Sequence, residues 1–539
     1  MTLHADPVPM PTKKVTYKRG PNGTTYVYLT LRAYRNRFGK PTSDEAAIGK
    51  KDPATGMLIP NRRYFELVPG AGQPKEKAAV ASTTASPTSV CSYGTSFCLF
   101  GIARAIGLQE VLERCFPDTW SQILAVASYM LCEGNVMMYL DDWFDETCVS
   151  YATRIDSKRC SRLFAELTDA QRMRFFSQWV KHRFEREYIA YDVTSISTYS
   201  KGIDSAEWGY NRDHESLPQV NLGMFVGAES RIPVYYSLYS GSICDKNKLE
   251  FMTASAGKLG LTSTRFVMDR GFVTHDNMNY MDKKRYQFVT ALPQHQLETR
   301  RLIADCSSAV RTSSNRIPRF GVFAKACTTE VFGFKLTAHV YFDTQKQAQD
   351  EKEMYAHIER LQTDLKKMSK KKLATKKYTD YFDVRQTSAG VLSFEPNNEK
   401  IDEQLRRSGY FVLLTNDETL SSEDVLALYR GRDVIEKNFE QFKDDLEFRR
   451  LHTHINRTTD GKVFVGFIAL ILRSYLQQRI KERQETKHLT IERVLLELRK
   501  IRYITFEDSS RIPTPTTKLQ KTILTALGFS LHELQVSLQ

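Results

Sequence analysis

None of the nine cysteines of this 539-residue chain pairs with another as CxxC. Their number is odd and their spacing irregular, which argues against both a disulfide scaffold and a zinc ribbon. They read as reduced, mostly buried thiols. Nor is there an uninterrupted run of the roughly 18 apolar residues that a membrane span needs. The longest run near the C-terminus, Val463 to Leu472, is far shorter and contains a glycine. Met1 to Lys14 lacks the apolar block of a secretory leader. The expected location is the cytoplasm, around the nucleoid. No internal repeat is visible. Acid is scarce relative to base: 63 acidic residues face 77 basic ones, for a net charge of +14. Such a surplus concentrates polyanions near the surface, and nucleic acid is the commonest of these. A soluble protein that merely happens to be basic is the alternative.

What is present suits a globular protein, with 41% hydrophobic and 26% charged residues. At roughly 150 residues per domain, the length suggests about three to four domains. Residues 1–68 alternate like strands, as in Thr25 to Leu31, between turn signals such as Gly20-Pro21-Asn22-Gly23. They read as a small β module. Residues 69–90, rich in Ala, Ser, Thr, Pro and Lys, read as a linker. Residues 91–185 carry helical periodicity. From 186 to 299 the pattern is strand-rich. Tyr188 to Val193 reads as a short apolar strand ending on a carboxylate, Asp192; Val220 to Val226 and Ile232 to Leu238 read as its antiparallel partners. A helix is expected over Lys246 to Leu259, then a strand, Arg265 to Asp269, ending on a second carboxylate. Residues 300–410 break this order with short strands, a helix expected over about 345–372, and seven lysines between Lys366 and Lys377. Those lysines suit a solvated face or contact with a DNA backbone. A strand at Tyr410 to Thr415 resumes the pattern over 411–485, and 486–539 reads as a C-terminal helical region.

The most informative segment follows Ser421. Serine caps and early acids mark a helix start, and Leu428, Ile435, Phe439, Phe442 and Leu446 give it a buried stripe to about Leu446. Tyr429, Arg432, Glu436 and Lys443 have offsets of 0, 3, 7 and 14. At about 100° per residue they share roughly 60° of arc. Such a face can hold a metal with its carboxylate and phosphates with its cations. An ordinary i,i+4 surface pair between Arg432 and Glu436 is the alternative.

The pattern Tyr-x2-Arg-x3-Glu-x6-Lys resembles the signature of the DDE transposases of the fourth insertion-sequence family. Tyr191-Asp192-Val193-Thr194 and Met268-Asp269-Arg270-Gly271-Phe272 resemble its two aspartate motifs. Tyr210-Asn211-Arg212-Asp213 and Leu217 to Gly223 are similar to a strand connection of a long-chain branch. Ile48 to Pro53 and Gly56 to Pro60 resemble that branch's N-terminal β module. The resemblance implies an α/β fold with an RNase H-like catalytic core at 186–299 and 411–485. A β-rich insertion, 300–410, would interrupt it.

It also implies catalysis through Asp192, Asp269 and Glu436, holding two Mg2+ ions (Mn2+ as substitute) roughly 3.5–4 Å apart. Asp192 would bridge both. Tyr429, Arg432 and Lys443, with Arg270 beside the second aspartate, would contact DNA: the terminal inverted repeats and the target. A homodimer is implied, because two ends need two sites. In better-known relatives excision passes through a hairpin, with a flipped base on a tryptophan of the insertion. Here Trp120, Trp143, Trp179 and Trp208 all lie outside 300–410. Either a Phe or Tyr takes that place or the hairpin does not form. Two lesser candidates stand apart from the signature. Asp141, Asp142, Asp145 and Glu146 suit a solvated helix end or a cation; His452 and His454, beside Arg449 and Arg450, suit DNA or solvent. The rival readings are a transposase-derived protein that only binds DNA, and a metal-dependent nuclease without strand transfer.

Overall fold

A computed structural model describes residues 7–20, 23–36, 38–53, 55–69, 86–183, 188–243, 249, 253, 257, 265–367, 376–386 and 392–537. The chain divides into two compact units, Met1–Ser86 and Pro87–Gln539.

In the first unit, strands β1 (Val15–Arg19), β2 (Thr25–Arg35), β3 (Pro41–Lys51) and β4 (Leu58–Pro60) form one antiparallel sheet in sequence order. Val27, Leu29, Ile48 and Leu58 alternate inward, as the period of two demands, and bury with Tyr64 of the helix Arg62–Leu67. Asn61 caps that helix, its side chain accepting from the Tyr64 N–H.

The second unit opens with β5 (Pro87–Ser92), which pairs with β17 (Arg502–Phe506), itself paired with β18 (Arg511–Pro513). Two expectations change here. Residues 87–90, read as the end of a linker, are strand, and the rest of that linker lies almost wholly outside the described residues. The region expected to be helical beyond 486 contains a hairpin. Its strand Arg502-Tyr503-Ile504-Thr505-Phe506 has the β-branched and aromatic content that favours a pleated surface.

Helices fill 94–182, and a nine-stranded sheet follows. It comprises β6 (Tyr188–Ser197), β7 (Gln219–Gly227), β8 (Pro233–Ser240), β9 (Arg265–Met268), β10 (Gln287–Ala291), β11 (Arg316–Ile317), β12 (Val322–Val331), β13 (Phe334–Phe342) and β16 (Tyr410–Thr415). The order is β11-β12-β13-β16-β10-β9-β6-β7-β8. Only the β6–β9 and β9–β10 pairings are parallel. Residues 300–410 therefore do not stand wholly apart: β12 and β13 continue the main sheet through β16. The remainder is largely helix, Thr344–Lys367, with a separate hairpin of β14 (Phe382–Gln386) and β15 (Leu392–Pro396). Leu361 and Leu365 of that helix bury against Tyr378 and Phe382. The helix expected over 246–259, single positions excepted, and Lys370, Lys371 and Lys372 of the lysine run lie outside the described residues.

The helix Asn456–Glu482 forms the centre of the unit. By length and composition it is apolar enough to cross a bilayer, yet 78% of its most apolar window is buried inside the fold. Glycines let it approach its neighbours closely. A Cβ at Gly461 would lie 2.0 Å from the carbonyl oxygen of Phe164 on the helix Ser157–Glu166.

Candidate active site

Asp192 and Asp269 reach one place because β6 and β9 are parallel neighbours. Tyr191 is in register with Met268, so each aspartate is the next residue along its chain. Adjacent strands lie roughly 4.8 Å apart. Asp192 is the one residue of β6 that is not fully buried, and its Oδ1 accepts from the Val193 N–H at 2.8 Å. Asp269 leaves the sheet into a short 3-10 turn, Arg270–Phe272, and its carbonyl accepts from the Phe272 N–H at 3.0 Å.

The signature segment starts as its sequence demands: Ser421 and Asp424 form a reciprocal capping box. It is not one uninterrupted helix to Leu446. It runs as Ser422–Gly431, steps at Arg432, continues as Asp433–Glu440 and widens into a π-helical turn, Gln441–Asp445. Beyond it Glu447 takes a left-handed φ of 58°, and the Phe448 N–H closes back on the Phe442 carbonyl at 3.1 Å. The Phe442 and Phe448 rings stack at 4.3 Å against Gly466, which leaves room for them.

Val434, Ile435 and Phe439 bury into the core, leaving Glu436 exposed on the aspartate side. The side chain of Arg432 is only 15% exposed and lies among all three acids. Its Nη1 is 3.4 Å from Asp269 Oδ1 and 3.7 Å from Asp192 Oδ2, and its Nη2 is 2.7 Å from Glu436 Oε1. The Arg432 Nε is buried without a partner. The Tyr429 ring stands 5.6 Å from the guanidinium.

Burial pushes the Asp192 carboxyl up to about 6, against the Val193 N–H and the Arg432 charge, which both favour ionisation. Burial also opposes the charge on Arg432. Tyr429, Asp269, Glu436 and Asp192 outweigh it and hold that pKa above the ordinary value. The donor chemistry fits a hard divalent cation: three carboxylates converge on a positive charge and all their ligand atoms are oxygen. The spacing is that of a guanidinium. Among the described residues no three ligating side chains stand close enough to hold an ion while Arg432 lies between them.

Two other predicted residues lie elsewhere. Lys443, in the π turn, is buried and donates to Asp213 Oδ2 at 2.6 Å rather than joining the acids. The wider turn removes it from the face that Arg432 and Glu436 share. Arg270 is exposed beside Asp269, at a cavity of about 460 Å3 that it lines with Gln294 and His295. Sequence reasoning missed Asp213 as the partner of Lys443 and Glu215 as the partner of Arg450 at 2.9 Å. Both partners are more than 200 residues away, so no local pattern reveals them. The acidic group near Trp143 is tied up structurally, since Arg154 bridges Asp141 and Asp145 and Arg499 pairs with Glu146.

Two aspartates on adjacent parallel strands and a glutamate on a helix packed over them define a carboxylate-triad site on a mixed α/β sheet. Residues 183–472 match the family described as the transposase DDE domain. The match covers more than half of the chain, and the protein belongs to that family of DDE transposases. A cryo-EM structure of a piggyBac transposase synaptic complex with hairpin DNA resembles it at 9% identity and a TM-score of 0.35, over 78% of this chain and 74% of that one. No curated protein matches.

Proposed function

We propose that the protein is a cut-and-paste transposase that cleaves DNA at the ends of an insertion sequence and joins the freed ends to a target. The observation that carries this reading is the convergence of Asp192, Asp269 and Glu436 on one cation. The strand order β8-β7-β6-β9-β10, with β6, β9 and β10 mutually parallel, supports an RNase H-like core. Asp192, the most buried of the three, would hold two Mg2+ ions together with Asp269 and Glu436. The chemistry such ions supply is a lowered pKa for the attacking water or 3′-hydroxyl and a neutralised leaving oxygen.

The chain's own residues do the rest. Arg432 leaves the carboxylates for a phosphate oxygen, to which its fork of donors is suited. Tyr429 stands beside Arg432 and Arg270 is exposed beside Asp269, and both would orient the DNA backbone. Two ends require two such sites, hence a homodimer acting where the DNA is, in the cytoplasm. The test is cleavage of the DNA ends flanking the gene with Mg2+, comparing wild type with Asp192→Ala, Asp269→Ala and Glu436→Ala. Wild type should cut at the boundary and each variant should bind without cutting. A variant that cuts normally removes that residue from the site. Wild type that binds and never cuts makes the protein a DNA-binding derivative, and cutting without joining makes it a nuclease.

A further inference from the structure

The start of the long helix Asn456–Glu482 is unusually bare. Its N-cap is Ile455, which has no side-chain group to offer, and its first turn holds no acid. The first intrahelical bond is from the Thr459 N–H to the Ile455 carbonyl at 3.1 Å, so the three preceding N–H groups have no helical acceptor. The Thr459 hydroxyl does not cap them either, since it is spent on Ile455 O and Thr453 Oγ1. Asn456 is also engaged elsewhere, holding Asp204 through both its amide atoms.

Lys462 lies on the same face. Ile455, Thr458 and Lys462 have offsets of 0, 3 and 7, and helical side chains lean toward the N-terminus. All three line a cavity of about 510 Å3, together with Asn135, His452 and His454. Lys462 is only 3% exposed. Among the described residues its ammonium makes one long hydrogen bond, to the neutral Asn135 Oδ1 at 3.4 Å, and stands 6.0 Å from the Phe448 ring. Glu447 favours its charge from a distance but forms no ion pair with it, and burial has pushed the Lys462 pKa down to about 8. An ammonium has three donors to satisfy. A buried cation without a counter-ion, beside uncapped helix N–H groups, is a ready-made seat for an anion.

The place of this seat suggests which anion. The Arg449 carbonyl and the Leu451 N–H pair with Ser197 at the end of β6. Ser197 lies five residues beyond Asp192 on that strand, roughly 17 Å, or about half a turn of B-form DNA. We propose that the uncapped start of this helix, with Lys462, seats one backbone phosphate of the bound DNA. The proposal rests on the transposase reading above.

The test measures binding of the flanking DNA ends by the full-length protein across a salt series, for wild type and Lys462→Met. The variant should bind about tenfold more weakly near physiological salt. Its log–log salt slope should flatten by about 0.9, one phosphate's worth. Its melting temperature should hold or rise, because an uncompensated charge is gone. Single methylphosphonate substitutions supply the independent arm. One position should weaken wild type about tenfold and weaken Lys462→Met no further. Equal affinity and slope in the two proteins overturn the proposal, as does the absence of any coupled position. Affinity lost in step with melting temperature makes Lys462 structural and also overturns it. Inorganic phosphate that stabilises wild type alone, with DNA binding untouched, assigns the seat to a free phosphate compound instead. Wild type that binds no flanking DNA ends the transposase reading itself.

Discussion

Arg432 donates to Glu436 at 2.7 Å across one helical turn, and its second terminal nitrogen faces Asp269 and Asp192. By spacing alone this is an ordinary i,i+4 pair, worth a few tenths of a kcal/mol on a surface. The Arg432 side chain, however, is only 15% exposed, although Glu436 is open to solvent. The guanidinium supplies the charge that lets three acids stand together, and a divalent ion has to displace it. Arg432→Gln removes that competitor. Free of DNA, the variant should bind Mn2+ at least about tenfold more tightly than wild type by electron paramagnetic resonance, yet cut DNA poorly for want of a phosphate clamp. Unchanged Mn2+ affinity would mean that Arg432 does not guard the acids.

Asp192 gives a pH prediction whose sign is fixed. Its folded pKa, about 6, lies above the unfolded value of about 3.9. The native state therefore bears a cost that is fully present above pH 6 and fades as pH falls toward 4. Asp192→Asn keeps an acceptor for the Val193 N–H and removes the charge. It should raise stability at pH 7.5 by about 3 kcal/mol, and the gain should vanish near pH 4. Denaturant melts at the two pH values check this. A variant destabilised at pH 7.5 would show that Arg432 already repays the burial.

Much of the site was legible because its determinants are local. An apolar strand running into a carboxylate occurs twice, and the helix announces itself by Ser421, Asp424 and the stripe from Leu428 to Leu446. That β6 and β9 are parallel neighbours, which alone puts Asp192 beside Asp269, is a long-range fact with no local mark. The π turn was equally hidden. It depends on Phe442 and Phe448 stacking over Gly466, and it sends Lys443 to Asp213. The sheet's growth through β12 and β13 escaped notice for a related reason, since a strand's sequence fits an insertion as well as an edge of the core.

The Lys443–Asp213 pair behaves as a buried pair, its side chains 7% and 21% exposed. Burial lowers the Lys443 pKa and Asp213 partly restores it. Removing one partner strands the other, at a cost of about 3–5 kcal/mol. Asp213→Ala should therefore lose about 3 kcal/mol or more. The double change Lys443→Met with Asp213→Ala should recover at least half of that loss in denaturant melts. Losses that simply add would mean the two side chains do not depend on each other.

Two glycines of like sequence context should respond in opposite directions. At Gly461 a Cβ would meet the Phe164 carbonyl oxygen at 2.0 Å and its carbon at 2.6 Å, all of it backbone. No rotamer relieves that clash, so Gly461→Ala has to push the long helix off the helix Ser157–Glu166. The expected loss is about 2 kcal/mol or more, by analogy with overpacking in a close-packed interior. At Gly431 the nearest atom to a built Cβ is Ala228 O at 4.0 Å, and the backbone is already helical. Gly431→Ala should gain up to about 1 kcal/mol, because alanine loses less chain entropy on entering a helix. Thermal melts of the two variants decide the matter. If Gly461→Ala melts with wild type, the close approach of these two helices is not a feature of the folded protein.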